Sequence, residues 1–556
     1  MKKGRRLRSL TVIFVFICFN GFLQLQATQH DWVWAINAGG NGTGNVNPKS
    51  IVTDNMGNSY LTGHLYGTIN LGSQTLTSAN SDIFVAKIDT AGNWIWASQA
   101  GGAAWDLGDE IAVDAMGCVY VCGQFEETAM FGDIVLNSVG DSDAFFAKLD
   151  QNGNWLWAKS MGGAAYDEIN SIAVDSNCNV YTTGQFQGII NLGGTTLDSG
   201  QSSKLFLTKT DSNGNWIWAI QSTEGSWATG LAICTDSSDS IYLSACFSNE
   251  ITIGFHTVTG TGHYADVLVA KLSPEGVIDW TALAYGSEHE IVEDIALDAN
   301  GAVFISGTSL SMCSYFGNIP VYSFGEEDTF VAKLDSSGNW LWAVRAGGDY
   351  YERVGNICID TQGNAVYVGT SNGTAVFGNH IVHNNGFSNG FVCSISTSGT
   401  VNWVKPVVCP NYSYNHGVSS DPNGNIYICG SISADSQVGN IFIDVVGSTD
   451  LIVAKLSSAS GLNDYYISAQ PDLSIANYPN PFGSKTTLDF QISKAGNYRL
   501  ALFNIKGQLV MESQVAYAQP GRYQKELETS HYPNGIYYLR VSNGSLQTTH
   551  KLVIAK

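Results

Sequence analysis

Short runs of apolar residues, each bounded by turn residues, alternate with polar positions along most of this chain. In one stretch Glu110–Asp114, Cys118–Phe125 and Ala144–Leu149 are followed by Trp155–Ala158. These runs are rich in Val, Ile, Tyr, Phe and Trp, which favour strands, and no segment after residue 27 shows a sustained helical period. The pattern predicts an all-β protein.

One block of about sixty residues, containing four such strands, is repeated seven times. A Trp-x-Trp or single-Trp signature marks each block, beginning at Trp32, Trp94, Trp155, Trp216, Trp280, Trp340 and Trp403. The spacings are 62, 61, 61, 64, 60 and 63 residues. A fixed period of this length indicates one supersecondary unit that packs against its neighbours. Twelve of the fourteen Trp residues lie in this signature, so we expect them to pack between repeats rather than to bind a ligand.

Two links in each block share one turn chemistry. Asp-x-x-Gly follows the first strand, as in Asp114–Gly117, and also the third, as in Asp150–Gly153. The Asp side chain can accept hydrogen bonds from nearby backbone amides, and Gly supplies the positive φ that closes a short hairpin. The four strands, which we call a, b, c and d, are therefore predicted to be joined by tight antiparallel hairpins.

The chain begins and ends this repeat out of phase. A lone d strand, Trp32–Ala35, precedes the first block, and the last c strand, Leu451–Leu456, has no d strand after it. In a ring of sheets the first strand would complete the last sheet and leave no open seam. The prediction is a seven-bladed β-propeller of four-stranded blades over residues 28–456, closed by its N-terminal strand.

The repeat also resembles a known family. The pattern D-x-x-G-N-W-x-W-A, which begins at Asp89, and F-V-A-K-L-D, which begins at Phe330, are similar to the seven-bladed β-propeller (SBBP-type) repeats of bacterial secreted proteins. The resemblance covers Trp32 to about Leu456. It implies a fold and no specific activity.

Residues 1–27 are expected to be a secretory signal peptide. Lys2, Lys3, Arg5, Arg6 and Arg8 form a basic start, followed by an apolar run that is too short to span a bilayer. Nothing later in the chain is long and apolar enough to span one either, so we expect no membrane insertion. After Leu456 the repeat stops, and residues 457–474 are interpreted as a linker.

Residues 475–556 lack Trp and Cys and follow a different strand pattern, which resembles the type A sorting domain of the type IX secretion system of Bacteroidota. The matching residues are Tyr478, Pro479, Asn480, Pro481, Phe482, Lys506, Gly507, Gly535, Tyr537 and Lys551. The resemblance implies a small immunoglobulin-like β-sandwich that the outer-membrane translocon recognises and usually removes. It therefore implies secretion across the outer membrane, with the protein extracellular or attached to the cell surface. An ordinary immunoglobulin-like accessory domain is the alternative.

The charge balance narrows the classes of partner. Asp and Glu number 48 against 26 Lys and Arg, which gives a net charge of −22. Such a surface repels phosphate backbones and anionic headgroups, so neither nucleic acid nor a membrane surface is an expected partner. Most cysteines replace small residues of the repeat, which suggests buried thiols; one or two disulfides involving Cys313 and Cys409 are the alternative.

Few segments suggest catalysis or metal binding. The Lys that recurs in strand c, such as Lys148, and the Asp that opens the strand, such as Asp143, are expected to form a structural ion pair or cap because they recur in most blocks. His289-Glu290-x-x-Glu293 lacks the second His of a zinc-protease helix and is interpreted as a solvated loop. We expect no cofactor and no metal; calcium at the Asp-x-Asn-x-Asn turns, such as Asp150–Asn154, is the weaker alternative.

The best candidate site lies in the links from strand d to the next strand a, which should meet on one face around the central channel. Aromatic and acidic residues cluster there: Trp105, Asp106, Tyr166, Asp167, Glu168, Trp227, Tyr285, Tyr351 and Tyr412. Aromatic surfaces beside carboxylates suit sugar rings. The sequence therefore favours a non-enzymatic module that binds a glycan or a protein. The alternatives are a polysaccharide hydrolase or lyase using link carboxylates, and a purely structural surface protein.

Overall fold

The computed structural model describes residues 30–40, 44–323, 325–348, 350–384, 388–458, 473–478, 483–492, 496–506, 508–517, 521–542 and 547–556. The predicted signal peptide and most of the predicted linker lie outside these residues. The chain divides into two units, Met1–Ser460 and Gly461–Lys556. Strands are the regular elements throughout the described ranges. Those ranges hold no helix with the length and hydropathy needed to cross a membrane.

The first unit contains forty described strands, numbered in chain order, and the first is β1 (His30–Ala38). Repeat 1 comprises β2 (Asn45–Thr53), β3 (Ser59–Leu71), β4 (Gln74–Ile88) and β5 (Trp94–Gly102). Repeat 2 comprises β6 (Asp106–Val113), β7 (Val119–Phe125), β8 (Thr128–Phe131), β9 (Ile134–Asn137), β10 (Asp143–Leu149) and β11 (Trp155–Met161). Repeat 3 comprises β12 (Glu168–Val174), β13 (Val180–Phe186), β14 (Ile189–Leu192), β15 (Thr195–Asp198), β16 (Lys204–Thr210) and β17 (Trp216–Thr223).

The remaining repeats follow the same order. Repeat 4 comprises β18 (Trp227–Thr235), β19 (Ile241–Ser248), β20 (Glu250–Ile253), β21 (His256–Thr259), β22 (Asp266–Leu272) and β23 (Ile278–Tyr285). Repeat 5 comprises β24 (Glu290–Leu297), β25 (Val303–Ser309), β26 (Cys313–Phe316), β27 (Ile319–Tyr322), β28 (Asp328–Leu334) and β29 (Trp340–Gly348). Repeat 6 comprises β30 (Glu352–Ile359), β31 (Ala365–Ser371), β32 (Thr374–Phe377), β33 (His380–His383), β34 (Asn389–Ile395) and β35 (Val401–Val408). Repeat 7 comprises β36 (Ser413–Ser420), β37 (Ile426–Ile432), β38 (Ser436–Val438), β39 (Ile441–Ile443) and β40 (Asp450–Ser458).

Each repeat forms a four-stranded antiparallel sheet, and the seventh sheet has the order β1-β40-β37-β36. The N-terminal strand thus completes the last sheet, with Ala35 opposite Ala454, as the sequence predicted. The a strand of each repeat contacts the a strand of the next, and β36 of repeat 7 contacts β2 of repeat 1. The arrangement is therefore a closed, propeller-like ring, and apolar side chains fill the space between neighbouring sheets.

The stretch between strands b and c, which the sequence suggested only as a variable segment, forms a two-stranded arm. The arm of repeat 2 pairs with the d strand of repeat 1, so that Phe131 of β8 lies opposite Ala100 of β5. The same addition occurs at four other sheets and makes them six-stranded. Because an exposed edge strand offers unpaired backbone groups, these five arms protect the outer edge of the preceding sheet, whereas the arm of repeat 3 (β14 and β15) forms a separate two-stranded sheet.

The anchor Trp residues join neighbouring repeats, as expected from their periodicity. Trp96 is buried, and its indole N–H donates to the carbonyl of Gln151 in the next repeat at 3.0 Å. The indole N–H of Trp157 donates in the same way to Ser212 at 3.1 Å. Each of these side chains therefore both buries apolar surface and satisfies a backbone carbonyl of the adjacent sheet.

The a–b turns are held by a repeated set of Asp, Tyr and Lys. In repeat 2, Asp114 accepts the backbone N–H groups of Met116 and Cys118, each at 2.9 Å, and the hydroxyl of Tyr120 at 3.1 Å. The ammonium of Lys148 lies 4.7 Å from the centre of the Tyr120 ring. Gly117 closes the turn with φ +81°.

The recurring Lys therefore has a structural role, but its partner differs from the expected one. In repeats 3 and 5, Lys209 and Lys333 approach the a–b turn residues Asp175 and Asp298 at 3.8 and 3.3 Å. The Asp that opens strand c instead caps the loop before it; Asp143 accepts the backbone N–H of Val139 at 3.0 Å. Of the two predicted alternatives, the cap is therefore confirmed for Asp143, and the ion pair with this Asp is wrong because the Lys side chain extends toward the opposite end of the sheet.

The second unit has two antiparallel sheets. Its strands are β41 (Leu473–Tyr478), β42 (Lys485–Ile492), β43 (Gly496–Asn504), β44 (Leu509–Tyr517), β45 (Gly521–Glu528), β46 (Gly535–Ser542) and β47 (Gln547–Ile554). Strand β42 lies between β41 and β45 in one sheet, and the other sheet has the order β44-β43-β46-β47. Leu488 of the first sheet and Leu500, Leu502 and Leu539 of the second form one buried apolar cluster.

The predicted sorting residues are spread over this unit. Tyr478 ends β41, and Lys551 lies in β47. Lys506 is exposed in the turn after β43, and Gly535 begins β46. Tyr537 is buried, with its hydroxyl donating to Pro533 at 3.0 Å. The remaining predicted residues lie outside the described ranges: Pro479, Asn480, Pro481, Phe482 and Gly507.

Candidate functional site

We call the face of the ring that carries the d-to-a links the link face. One position on it recurs in all seven repeats, at the start of strand a or one or two residues before it. We call the seven residues at this position the rim residues: Asn45, Trp105, Tyr166, Trp227, His289, Tyr351 and Tyr412. In six of the repeats the residue after the rim residue donates its backbone N–H to a backbone carbonyl of the preceding repeat. The acceptor is the residue that comes just before strand c of that repeat. Examples are Asp167 to Ser142 at 3.0 Å and Ser413 to Ser388 at 3.0 Å. This backbone hydrogen bond therefore recurs from repeat to repeat, while the side chain of the rim residue varies.

Five of the nine predicted site residues are rim residues, and they are accessible. Trp105 is 59% exposed and Tyr351 is 50% exposed, although large aromatic side chains are usually buried. Tyr166 and Tyr412 are exposed as well, and Trp227 is half-buried. The link face thus presents a circle of aromatic side chains to solvent.

His289 is also a rim residue, and the interpretation of His289-Glu290-x-x-Glu293 as a solvated loop was wrong because the segment enters a strand at Glu290. Glu290 begins strand β24 and is fully buried. The backbone N–H of Ala265 donates to Nδ1 of His289 at 3.2 Å, and the imidazole packs edge-to-face with Tyr264. Aligning the seven repeats reveals this role, because His289 lies 62 residues after Trp227 and 62 before Tyr351.

The carboxylates that follow the rim residues stabilise the links. Asp106 accepts the backbone N–H of Gly102 at 2.7 Å, and Asp167 accepts that of Gly163 at 2.7 Å. Both side chains are fully buried, and this burial raises the pKa of Asp106 to about 7 and that of Asp167 to about 6. These two predicted site residues therefore lie beneath the solvent-facing rim and hold its loops in place.

A chain of hydrogen bonds connects two rim residues. The hydroxyl of Tyr166 donates to Oε2 of Glu168 at 2.6 Å, and Nε2 of Gln185 donates to Oε1 of the same carboxylate at 2.8 Å. The indole N–H of Trp227 donates to Oε1 of Gln185 at 3.2 Å. Three predicted site residues are thus brought together. Gln185 was missed because it lies in strand b, outside the links in which the sequence placed the candidate site.

Trp227 and His289 both line a pocket of about 510 Å³ on the link face. Leu231, Cys246 and Ile291 give it an apolar surface, and Glu168 and Gln185 lie at one side. No Lys or Arg is among its lining residues, which all lie in the described ranges. The pocket combines an aromatic wall, an apolar surface and a carboxylate acceptor.

A second pocket, of about 360 Å³, is lined by the rim residues Tyr351 and Tyr412. Tyr412 stacks on Tyr414, with ring centres 6.3 Å apart and planes within 4°. Arg353 lines this pocket, and its Nε lies 3.8 Å from a carboxylate oxygen of Glu327. Each pocket is lined by two rim residues of its own. The first contains the carboxylate of Glu168, and the second contains the guanidinium of Arg353.

Tyr285 lies away from these pockets. It ends β23 at the outer part of the sheet, and its ring stacks on Tyr315 of the neighbouring arm at 5.4 Å. The structure therefore gathers eight of the nine predicted residues around the rim and places Tyr285 toward the outer edge.

Polar side chains from distant repeats meet across the axis of the ring. Nδ2 of Asn356, in repeat 6, donates to Glu110 of repeat 2 at 3.2 Å, and Ser50 of repeat 1 also donates to Glu110. Asp294 of repeat 5 accepts the backbone N–H of Ile357 at 2.8 Å. Burial raises the pKa of both Glu110 and Asp294 to about 7, and the proximity of the two carboxylates adds to the shift of Glu110.

The Asp residues of the Asp-x-Asn-x-Asn turns are engaged in local hydrogen bonds. Asp150 of the Asp-x-Asn-x-Asn turn accepts the backbone N–H groups of Asn152 and Asn154 and the side-chain amide of Asn154. Among the described residues, no cluster of three or more His, Cys, Asp or Glu side chains has the geometry to hold a metal ion. The ten cysteines in the same ranges are free thiols.

Comparison with known proteins identifies the C-terminal part of the chain. Residues 476–555 match the model of the secretion system C-terminal sorting domain. An uncharacterized WD repeat-containing protein of Acanthamoeba polyphaga mimivirus is 21% identical over 497 residues, which covers 75% of this chain and 34% of that protein. Regulatory protein FlaEY of Caulobacter vibrioides is 28% identical over 139 residues, covering 24% of this chain and 15% of that protein. The chain thus spans about a third of the first relative and a smaller part of the second.

Two solved structures also align with the chain at 10% identity. YCF48 bound to a peptide covers 64% of this chain and 93% of its own, with a TM-score of 0.31. PorZ, an essential bacterial surface component of the type IX secretion system of Porphyromonas gingivalis, covers 93% and 100%, with a TM-score of 0.16. The sorting domain indicates export across the outer membrane, to the cell surface or beyond it, and implies interaction with the type IX secretion machinery.

Proposed function

We propose that this chain is a seven-bladed β-propeller that binds glycans through its rim residues after export by the type IX system. The observation that carries the proposal is the circle of accessible aromatic side chains on one face, with Trp105 59% exposed and Tyr351 50% exposed. Exposed aromatic rings stack on the apolar faces of sugars, and neighbouring carboxylates accept hydrogen bonds from sugar hydroxyls.

Several rim residues on one rigid ring would let a polysaccharide contact more than one repeat at a time. Binding to several weak sites on one scaffold raises the overall affinity without any single strong contact. This arrangement suits an adhesion protein at the cell surface. In the same proposal the second unit is an immunoglobulin-like sandwich that serves the translocon, and the first unit carries the binding function.

The proposal favours binding over hydrolysis because of how the link carboxylates are arranged. A glycosidase needs two carboxyl groups that both reach the scissile bond. Asp106 and Asp167 are buried and accept backbone amides, so neither is available for that role without opening its loop. Glu168 is the accessible acceptor beside the rim, and its position suits contact with a sugar hydroxyl.

A glycan array tests the proposal with the full chain and two double variants. Trp105→Ala/Trp227→Ala removes two rim residues, and Tyr322→Ala/Phe442→Ala removes two aromatic residues that are at least as exposed as Trp105 but lie on outer arms. We expect specific binding to be lost only in the rim variant. Absence of binding by the unaltered chain, or equal binding by both variants, would contradict the proposal and favour a protein ligand or a structural role.

A further inference from the structure

The pocket lined by Trp227 and His289 is fixed on two sides by hydrogen bonds. On one side the Trp227 indole is held by Gln185, which is in turn bonded to Glu168. On the other side His289 accepts the backbone N–H of Ala265 at Nδ1. A site whose contact groups are already oriented loses less entropy when a ligand binds.

Glu168 keeps acceptor capacity for a ligand. A carboxylate offers about four lone-pair positions, and here each oxygen accepts one hydrogen bond, from Tyr166 and from Gln185. The unused lone pairs are those of the Glu168 carboxylate, and Glu168 lines the pocket. They suit the hydroxyl donors of a sugar, since two vicinal hydroxyls can reach one carboxylate.

His289 supplies a donor on the opposite side. Because Nδ1 accepts a backbone N–H, the ring proton resides on Nε2, which can donate to a sugar oxygen. The edge-to-face contact with Tyr264, with ring centres 5.1 Å apart, fixes the imidazole plane. Acceptor and donor therefore belong to one pocket whose other walls are Trp227, Leu231 and Ile291.

The charge of the pocket selects among sugars. Glu168 is its acidic lining residue, and no Lys or Arg lines the pocket in the described ranges. A carboxylated or sulfated sugar would bring a second negative charge next to Glu168 without a compensating Lys or Arg; the lining residues that can carry a positive charge are His263 and His289. The pocket beside Tyr351 and Tyr412 differs in this respect, because Arg353 lines it.

We infer that the Trp227 pocket binds one uncharged pyranose residue, stacked on the indole, with its hydroxyls donating to Glu168 and His289 donating to a sugar oxygen. The inference rests on the proposed glycan-binding function and assigns the ligand class and the location of its main site. The volume of about 510 Å³ falls within the range of about 300–1,000 Å³ that is typical of small-ligand sites.

The test measures binding of methyl hexopyranosides and of methyl glucuronide to the full chain by saturation-transfer NMR and calorimetry. We expect the neutral sugars to bind at least about tenfold more tightly than the glucuronide. Trp227→Ala should abolish this binding, and Trp227→Phe should retain part of it and report that the fold is intact. Glu168→Gln should weaken the neutral sugars and bring the ratio of the two affinities close to one.

Tyr322→Ala, which removes an exposed aromatic side chain on an outer arm, is the matched control and should leave these affinities unchanged. Tyr412→Ala, in the other pocket, tests which pocket holds the sugar. If Tyr412→Ala abolishes binding while Trp227→Ala does not, glycan binding stands and the assignment to the Trp227 pocket is overturned. If the glucuronide binds the unaltered chain as tightly as the neutral sugars, the assigned ligand class is wrong. If no glycan of any kind binds, the proposed function fails together with this inference.

Discussion

In the propeller-like unit the a–b turns lie at one end of the strands and the rim residues lie at the other. The two ends differ in what recurs from repeat to repeat. At the a–b turns the side chains themselves repeat: an Asp accepts the turn amides, a Tyr hydroxyl donates to that Asp, and a Lys lies over the Tyr ring. At the rim only the backbone hydrogen bond repeats, and the side chain ranges from Asn45 to Trp105 to His289. Side chains recur where the fold depends on them and vary where they face solvent.

This contrast separates structural from functional clusters. The Lys and Asp residues suggest acid–base chemistry when seen once, yet they hold the same kind of turn in most repeats. The rim residues look unrelated in sequence, yet they share one place on one face. Substitutions at the two ends should therefore affect different properties, namely the free energy of unfolding at the turns and ligand binding at the rim.

The largest expected effect is that of Trp96→Ala. Trp96 is 7% exposed and joins two repeats through Gln151, so its truncation should lower the free energy of unfolding by about 3–5 kcal/mol. The control Trp105→Ala should change it by no more than about 0.5 kcal/mol, because this indole is mostly exposed. Urea unfolding followed by Trp fluorescence reports on the first unit alone, since all Trp residues lie there. If Trp96→Ala and Trp105→Ala lowered the free energy of unfolding equally, the distinction between structural and rim aromatic residues would fail.

An intermediate effect is expected from Asp114→Ala at an a–b turn. Its carboxylate accepts two backbone amides and the hydroxyl of the buried Tyr120, so the substitution should cost about 2 kcal/mol. Asp133→Ala, on an exposed arm turn, should cost less than about 0.5 kcal/mol. The same urea experiment measures both, and a neutral Asp114→Ala would show that the repeated turn network contributes little.

A smaller effect concerns pH and the axial carboxylates. The pKa of Glu110 is raised to about 7 in the folded state, above the value of about 4.3 expected in an unfolded chain. The folded state therefore keeps a proton between these pH values, and its stability falls as pH rises through this window, by at most about 1.4 kcal/mol per pH unit. Glu110→Gln should flatten the dependence of the unfolding free energy on pH between about 4.3 and 7.

The exposed Glu127→Gln is the control for this pH series and should leave the slope unchanged. An unchanged slope in Glu110→Gln as well would show that Glu110 ionises normally, and the axial network would then be one of ordinary exposed carboxylates.

Features that depend on a local motif or on the phase of the repeat were predictable from the sequence. Features that depend on contacts between different repeats were not. The hairpins follow from local Asp-x-x-Gly turns, and the closure by β1 follows from the phase of the repeat. The arms were not foreseen, because β8 pairs with β5 of another repeat and its sequence differs from one repeat to the next.

The candidate site was predictable only in part for the same reason. Link aromatics such as Trp227 were visible in the sequence, but their contact with Gln185 depends on how repeats pack. The contact of Glu110 with Asn356 joins residues 246 positions apart, and no local pattern encodes it. His289 could have been recognised from its register alone, since one rim residue follows another every 60–62 residues.

The most direct test of the account uses the side chain that repeat 1 already has at the rim. Replacing Trp105, Tyr166, Trp227, Tyr351 and Tyr412 together by Asn, as in Asn45, removes the aromatic circle at positions where the backbone accepts Asn. We expect the unfolding free energy to change by less than about 3 kcal/mol, since four of the five replaced side chains are exposed and Trp227 is half-buried, and we expect the glycan-array signal to disappear. A folded variant that still binds the same glycans would contradict the account, and so would a chain that no longer folds.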